Sequence, residues 1–283
     1  MRIVHMAGLL FAALLLLAAP VLAKDIDLVV PSSAKQGTAV VVTAVLDSPE
    51  RTVRFVWQDK SLNAPVVSSR RGWEASFLLP VPVNARNDIR IRAQAGKSKA
   101  SATIRVLKVD WPRQTISVNR NYVTPPKATL NKIAADRKKT AAVLKRITPE
   151  RSWRQPFQRP VPGVITSAFG GHRVFNGEVR SYHRGVDLRA PTGTPIRALA
   201  AGKVVIAEEM YYSGNVVFID HGLGAVSSYG HMSRIDVRPG DRVTAGQQIG
   251  LSGATGRVTG PHLHLGLNIL GQAVDPLSLF SKQ

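Results

Sequence analysis

Three short segments hold most of the side chains in this sequence that are suited to hydrolytic chemistry. They are His183-Arg-Gly-Val-Asp187, Tyr229-Gly230-His231 and Thr259-Gly-Pro-His-Leu-His264. Together they supply four histidines and one aspartate, the inventory of a hydrolytic metal site. Such a site usually takes three protein ligands and keeps a fourth position for water. The two histidines left over can then move protons or steady charge beside that water. A set of two imidazoles and a carboxylate favours zinc, although nitrogen and oxygen donors alone leave other divalent ions open.

The elements that would position these groups follow from local pattern. In a strand over 262–269, His262 and His264 project from the same face, because side chains alternate with period two. One of them can bind metal while the other faces the water. His183 and Asp187 are four residues apart, the spacing of a helix face. Gly185, Val186 and the following Pro191-Thr-Gly-Thr-Pro195 argue against a helix, however. A strand end or a tight loop is expected there instead.

With these residues in view, the C-terminal part resembles the lysostaphin-like (LytM-type) zinc metalloendopeptidases, which cut peptide cross-links of bacterial peptidoglycan. The likeness rests on Ser167-Ala-Phe-Gly170, His183-x-Gly-x-Asp187, Gly193-Thr-Pro195, Tyr229-Gly-His231 and Gly260-Pro-His-Leu-His264, in the family's order and over roughly residues 160–280. The resemblance implies His183, Asp187 and His264 as ligands of one Zn2+ per chain. It implies His262 as general base and His231 as the group that stabilises the developing oxyanion. One position departs from the pattern: many members carry Glu two residues beyond the last ligand, and this chain has Gly266. Arg173 and Tyr182 are secondary candidates for positioning substrate. Of the remaining histidines after the N-terminal segment, His172 is a candidate for lining the cleft. His221, between Asp220 and Gly222, reads as structural.

The rest of the chain sets the context. Arg2, the apolar run Leu9 to Ala19 and Val21-Leu22-Ala23 predict an export signal over 1–23, cleaved after Ala23; the run is short for a membrane span, and an uncleaved anchor is the alternative. With no cysteine, disulfides and a lipid-modified cysteine are excluded. The net charge of +20 is uneven. Residues 109–159 carry twelve Lys and Arg against three Asp and Glu, whereas 160–283 carry eleven against eight. A basic connector in an exported protein suits anionic envelope polymers. Nucleic acid is not an expected partner, since no reader motif interleaves aromatics with the basic residues.

The expected fold is mostly β. Residues 24–108 contain short alternating runs such as Ile89-Arg-Ile-Arg-Ala93, which predict an immunoglobulin-like β-sandwich. Residues 109–159 form a basic connector with one helix, its stripe running from Leu130 to Ile147 and Pro149 ending it. Residues 160–283 form an antiparallel β peptidase domain, of the duplicated hybrid motif type by resemblance. Asn176-Gly177 marks a hairpin there. Val237 to Gly250 also resembles the hairpins of biotinyl and lipoyl carriers, but no exposed-tip lysine is present, so only shared β architecture is inferred. The functional expectation is an exported zinc endopeptidase acting on peptidoglycan, most readily in a periplasm. The rival expectation is a catalytically silent envelope regulator that activates another cell-wall hydrolase.

Overall fold

The computed structural model describes residues 26–177 and 179–280. The expected export signal over 1–23 lies outside them. Two sheets form the N-terminal part. One joins Asp27–Val29, Ala39–Leu46, Gly72–Pro80 and Val67–Ser69 in that spatial order. The other joins Ser33–Lys35, Ser98–Leu107, Ile89–Ala95, Thr52–Trp57 and Lys60–Pro65. Both contribute to one core, in which Val42, Phe55, Phe77 and Ile91 are fully buried. Ile89–Ala95 shows why: Ile89, Ile91, Ala93 and Ala95 point inward, whereas Arg90, Arg92 and Gln94 face water. Apolar burial at alternate positions fixes the register, because a one-residue slip would bury the arginines.

The C-terminal part is a ten-stranded sheet. Its main path runs Ile165–Ser167, Gly185–Arg189, His262–Ile269, Ala225–Ile235, Gly214–Gly222, Gly202–Met210 and Arg242–Val243. Along His262–Ile269, Leu263, Leu265, Leu267 and Ile269 enter the core. His262 and His264 therefore emerge on the opposite face, as period-two alternation requires. The N-terminal sandwich packs against this part. Ala39 and Leu78 join its core, and Asp275 N–H donates to Gly37 O at 2.6 Å.

The connector differs from expectation in two ways. Its helix, Leu130–Lys145, stops before Ile147, which lies outside it and is exposed, as is Leu130. Only Ile133 of the helix is buried, so the apolar stripe is weaker than its spacing implies. The helix rests on the sheet through Val143 and Leu144, which pack against a cluster of Ile206, Met210 and Phe218, and polar contacts add to this: Lys139 pairs with Glu208 at 2.6 Å, and Asp136 accepts from Tyr211 N–H at 2.8 Å. Second, Arg113–Ile116 is a strand that pairs in parallel with His172–Phe175, which in turn pairs with Val179–Tyr182. Asn176, at the hairpin turn with φ 48°, donates from Nδ2 to Val118 O and accepts from Val118 N–H, both at 2.9 Å. The connector is thus strapped across the second part of the molecule.

A buried polar network lies behind the central strands. His221 is fully buried, with Nδ1 2.8 Å from Ala201 O and Nε2 2.7 Å from Ser227 Oγ. Ser227 Oγ donates to Tyr229 Oη, which also accepts from Leu199 N–H. This agrees with the structural reading of His221. Burial lowers the His221 pKa from 6.5 to about 4, outweighing its bond to Ala201 and the nearby Asp220. The folded state therefore favours the neutral ring, and the unfolded chain takes up the proton first. The stability this site contributes is complete above pH 6.5 and declines as pH falls toward about 4, by on the order of 3 kcal/mol. Urea unfolding across that window should show the slope in the native protein and a shallower one in His221→Gln. Equal slopes would contradict the account.

Candidate metal centre

Three adjacent strands bring the chemistry together. Asp187 sits directly opposite His264 across the pair Gly185–Arg189 and His262–Ile269, and Gly230 sits opposite His264 on its other side. Residues facing each other in a ladder have side chains about 5 Å apart on one face. His183 precedes this strand at the end of the hairpin, where its N–H donates to Gly171 O. His231 follows Gly230 with φ 66°, a left-handed conformation held by its N–H bond to Ser213 O. A histidine in that region is strained, and strain of this kind concentrates where a side chain must be aimed.

His183 Nε2, Asp187 Oδ1 and His264 Nδ1 converge, with separations of 3.0, 3.1 and 2.8 Å. His183 Nδ1 lies 2.8 Å from Ala168 O, so the neutral ring donates there and leaves a lone pair on Nε2. That lone pair then faces the Asp187 carboxylate and the His264 nitrogen, which is repulsive unless a cation joins them. The separations approach the ~3.3 Å edge of a tetrahedron with ~2.0 Å bonds. The donor set therefore fits a divalent metal ion. Burial alone would raise the Asp187 carboxyl, but the His183 and His264 rings crowded against it favour a charged carboxylate, as a cation between them would, and hold the group well below the usual carboxylate range.

The other two histidines flank this cluster. His262 Nδ1 lies 2.8 Å from Gly260 O, and its Nε2 is 3.7 Å from Asp187 Oδ1. His231 Nδ1 lies 2.8 Å from Thr255 O, with its ring centroid 4.9 Å from that of His262. Burial, with His264 and His262 close by, lowers the His231 pKa to about 3, so it is neutral near pH 7. Both rings thus donate from Nδ1 to a carbonyl and present Nε2 as an acceptor. All five residues named from sequence meet at one site. One cavity is lined by Asp187, His231, His262 and His264.

The secondary candidates separate. Arg173 Nη2 donates to Asp187 Oδ2 at 2.7 Å and to Ser167 Oγ at 2.9 Å. It holds the carboxylate, a role outer partners of metal ligands commonly fill. Gly266 supplies no such group, and a Cβ there would run into Ser228 Oγ. Tyr182 packs edge-on against Phe169 and His172 is exposed; both line a separate hollow beside Arg113. Sequence reasoning missed Ile116 and Val118 of the strap, and Tyr212 and Arg257, all lining the cavity. Arg257 stood two residues before the Thr259 motif, in a glycine-flanked loop, and that was the available signal.

The profile of peptidase family M23 matches residues 181–276. Over 130 residues the chain is 46% identical to the peptidoglycan DD-endopeptidase ShyA of Vibrio cholerae, covering 44% of this chain and 30% of that protein. Over 97 residues it is 43% identical to the DD-carboxypeptidase/endopeptidase Mpg of Neisseria meningitidis, covering 34% of this chain and 22% of that one. The chain thus spans less than a third of the length of either relative. Among solved structures, a Pseudomonas aeruginosa protein provisionally assigned to peptidase M23 superposes with a TM-score of 0.66 at 27% identity, covering 88% of this chain and 95% of that one. Matching profile, matching fold and a converged His/Asp cluster agree that residues 181–276 are a peptidase family M23 domain.

Proposed function

We propose that the protein is an exported zinc metallo-endopeptidase that hydrolyses peptide cross-links of bacterial peptidoglycan. The observation that carries this reading is the convergence of His183, Asp187 and His264 on one point, with His231 and His262 beside it. The relative ShyA, named a peptidoglycan DD-endopeptidase, supports the substrate class. His183, Asp187 and His264 would hold the zinc, and Arg173 would hold the carboxylate of Asp187 in place. Zinc, when bound, acts as a Lewis acid that polarises the scissile carbonyl and acidifies water.

The chain's own groups do the rest. His262, anchored through Nδ1 to Gly260 O, offers Nε2 as general base. His231, anchored to Thr255 O, also presents an acceptor when neutral. To stabilise a developing oxyanion it would donate from Nε2 the proton released by the attacking water, a contribution made as charge develops in the transition state.

The strand order in the N-terminal part supports an immunoglobulin-like sandwich over 24–108, followed by a basic connector over 109–159 and the peptidase domain over 160–283. Among the described residues, no helix is long and apolar enough to cross a membrane. A periplasmic setting suits the signal segment, and anionic envelope polymers suit the connector, whose Arg137 and Lys138 are exposed. A chelator should abolish release of soluble fragments from purified peptidoglycan, and one equivalent of zinc should restore it. Release that survives thorough chelation would contradict the reading.

A further inference from the structure

We propose that Arg257 is a specificity-determining residue that binds a carboxylate of the substrate peptide beside the scissile bond; this rests on the peptidase reading above. Arg257 lines the same cavity as Asp187, His231, His262 and His264. Its guanidinium packs 4.2 Å from the centroid of Phe175 and 4.8 Å from that of Tyr212. Its backbone N–H donates to Tyr212 O at 2.9 Å, which ties the loop to the aromatic wall. The group is therefore held by ring faces and backbone rather than by a counter-charge.

The electrostatics of the cavity point the same way. Among the described residues, no carboxylate pairs with Arg257. The other guanidinium in the cavity, Arg173, is already committed to Asp187 and Ser167. Burial acts to lower the Arg257 pKa, Tyr212 opposes that and Arg173 adds to it, which fits a guanidinium without a carboxylate beside it. A half-buried arginine resting on aromatic faces keeps its fork of N–H donors free for bidentate pairing, and a carboxylate is the matching partner. Cation–π contact alone is a weak reason to desolvate a guanidinium; a ligand carboxylate supplies a stronger one. Stem peptides of peptidoglycan carry carboxylates close to their cross-links, which gives this group a partner of the right class.

The test uses a stem tetrapeptide ending in D-alanine, prepared as the acid and with its carboxyls amidated, and the corresponding cross-linked dimers. In the zinc-loaded native protein, kcat/KM should favour the acid dimer over the amidated dimer by about 30-fold, mainly through KM. Arg257→Gln should remove most of that preference, with little change on the amidated dimer; Arg257→Lys should restore only part of it. Equal losses on both dimers would mean Arg257 only supports the loop, and the inference would fall. Calorimetric titration of the uncleaved tetrapeptide separates this inference from the peptidase reading. If the native protein binds the acid and Arg257→Gln does not, the inference stands even where no bond is cut, and only the hydrolase reading is lost. Equal binding by native protein and variant overturns it.

Discussion

His262→Ala is expected to keep one zinc per chain while losing turnover by about 10³-fold, within the range a general base contributes. His264→Ala is expected to lose zinc and turnover together. The contrast follows from where the two rings point. His264 Nδ1 lies within 3.1 Å of both His183 Nε2 and Asp187 Oδ1, so deleting it removes one of three donors. His262 stays outside that cluster, with Nε2 3.7 Å from the same carboxylate oxygen. Its loss leaves the donors intact but removes an acceptor for the water proton. The sheet should tolerate either change, because Leu263 and Leu265 carry the buried side of the strand. Zinc content and kcat measured on both variants check this. Turnover retained in His262→Ala would mean the general base lies elsewhere, with His231 the next candidate.

Gly185→Ala is expected to weaken zinc binding by about 10- to 100-fold without replacing a ligand. A Cβ at this position would sit 2.8 Å from Cε1 and Nε2 of His264 and against the carbonyl oxygen of Leu265. The obstacle is partly backbone, so it cannot simply swing away. Either the His264 ring leaves its place or the two strands part. Overpacking of this kind costs about 1–3 kcal/mol, and metal geometry tolerates small displacements poorly. Gly260→Ala is the control. It lies inside the Gly-Pro-His-Leu-His motif, yet a Cβ there meets nothing within 4 Å. Zinc affinity measured by competition should separate the two variants, with melting temperature followed alongside. Equal affinity in both would contradict the close approach at Gly185.

Much of the site was legible because it depends on short-range pattern. Alternation in His262-Leu-His-Leu fixed which face carries imidazoles, and the register opposite Asp187 completed the cluster. Gly230 and Gly185 marked the motifs in sequence, but their steric role needed the fold. The φ of 66° at His231 leaves no compositional trace, since histidine is not a residue that announces left-handed backbone. The strap was also hidden. Arg113-Gln-Thr-Ile116 is short and polar, and its partner lies almost 60 residues away at His172–Phe175. No local periodicity reveals a parallel pairing at that distance. The helix end failed for a related reason: apolar spacing suggested continuation to Ile147, but little core was available there to hold it, and the backbone is extended by Arg146.

The strap gives the connector a second meaning. Read from sequence, it separates two β parts and carries charge. In the fold, Ile116 and Val118 line the cavity that contains His231, His262 and His264, and Asn176 fastens that segment in place. The connector therefore forms part of the wall beside the histidines as well as linking its neighbours.

The most direct test of the whole account is mass spectrometry of purified cross-linked peptidoglycan fragments after incubation with the zinc-loaded protein, with His264→Ala as the control. The account predicts loss of cross-linked dimers and growth of monomers with the native protein, and neither change with the variant. Dimers left intact by fully zinc-loaded protein would contradict it, as would equal cleavage by His264→Ala.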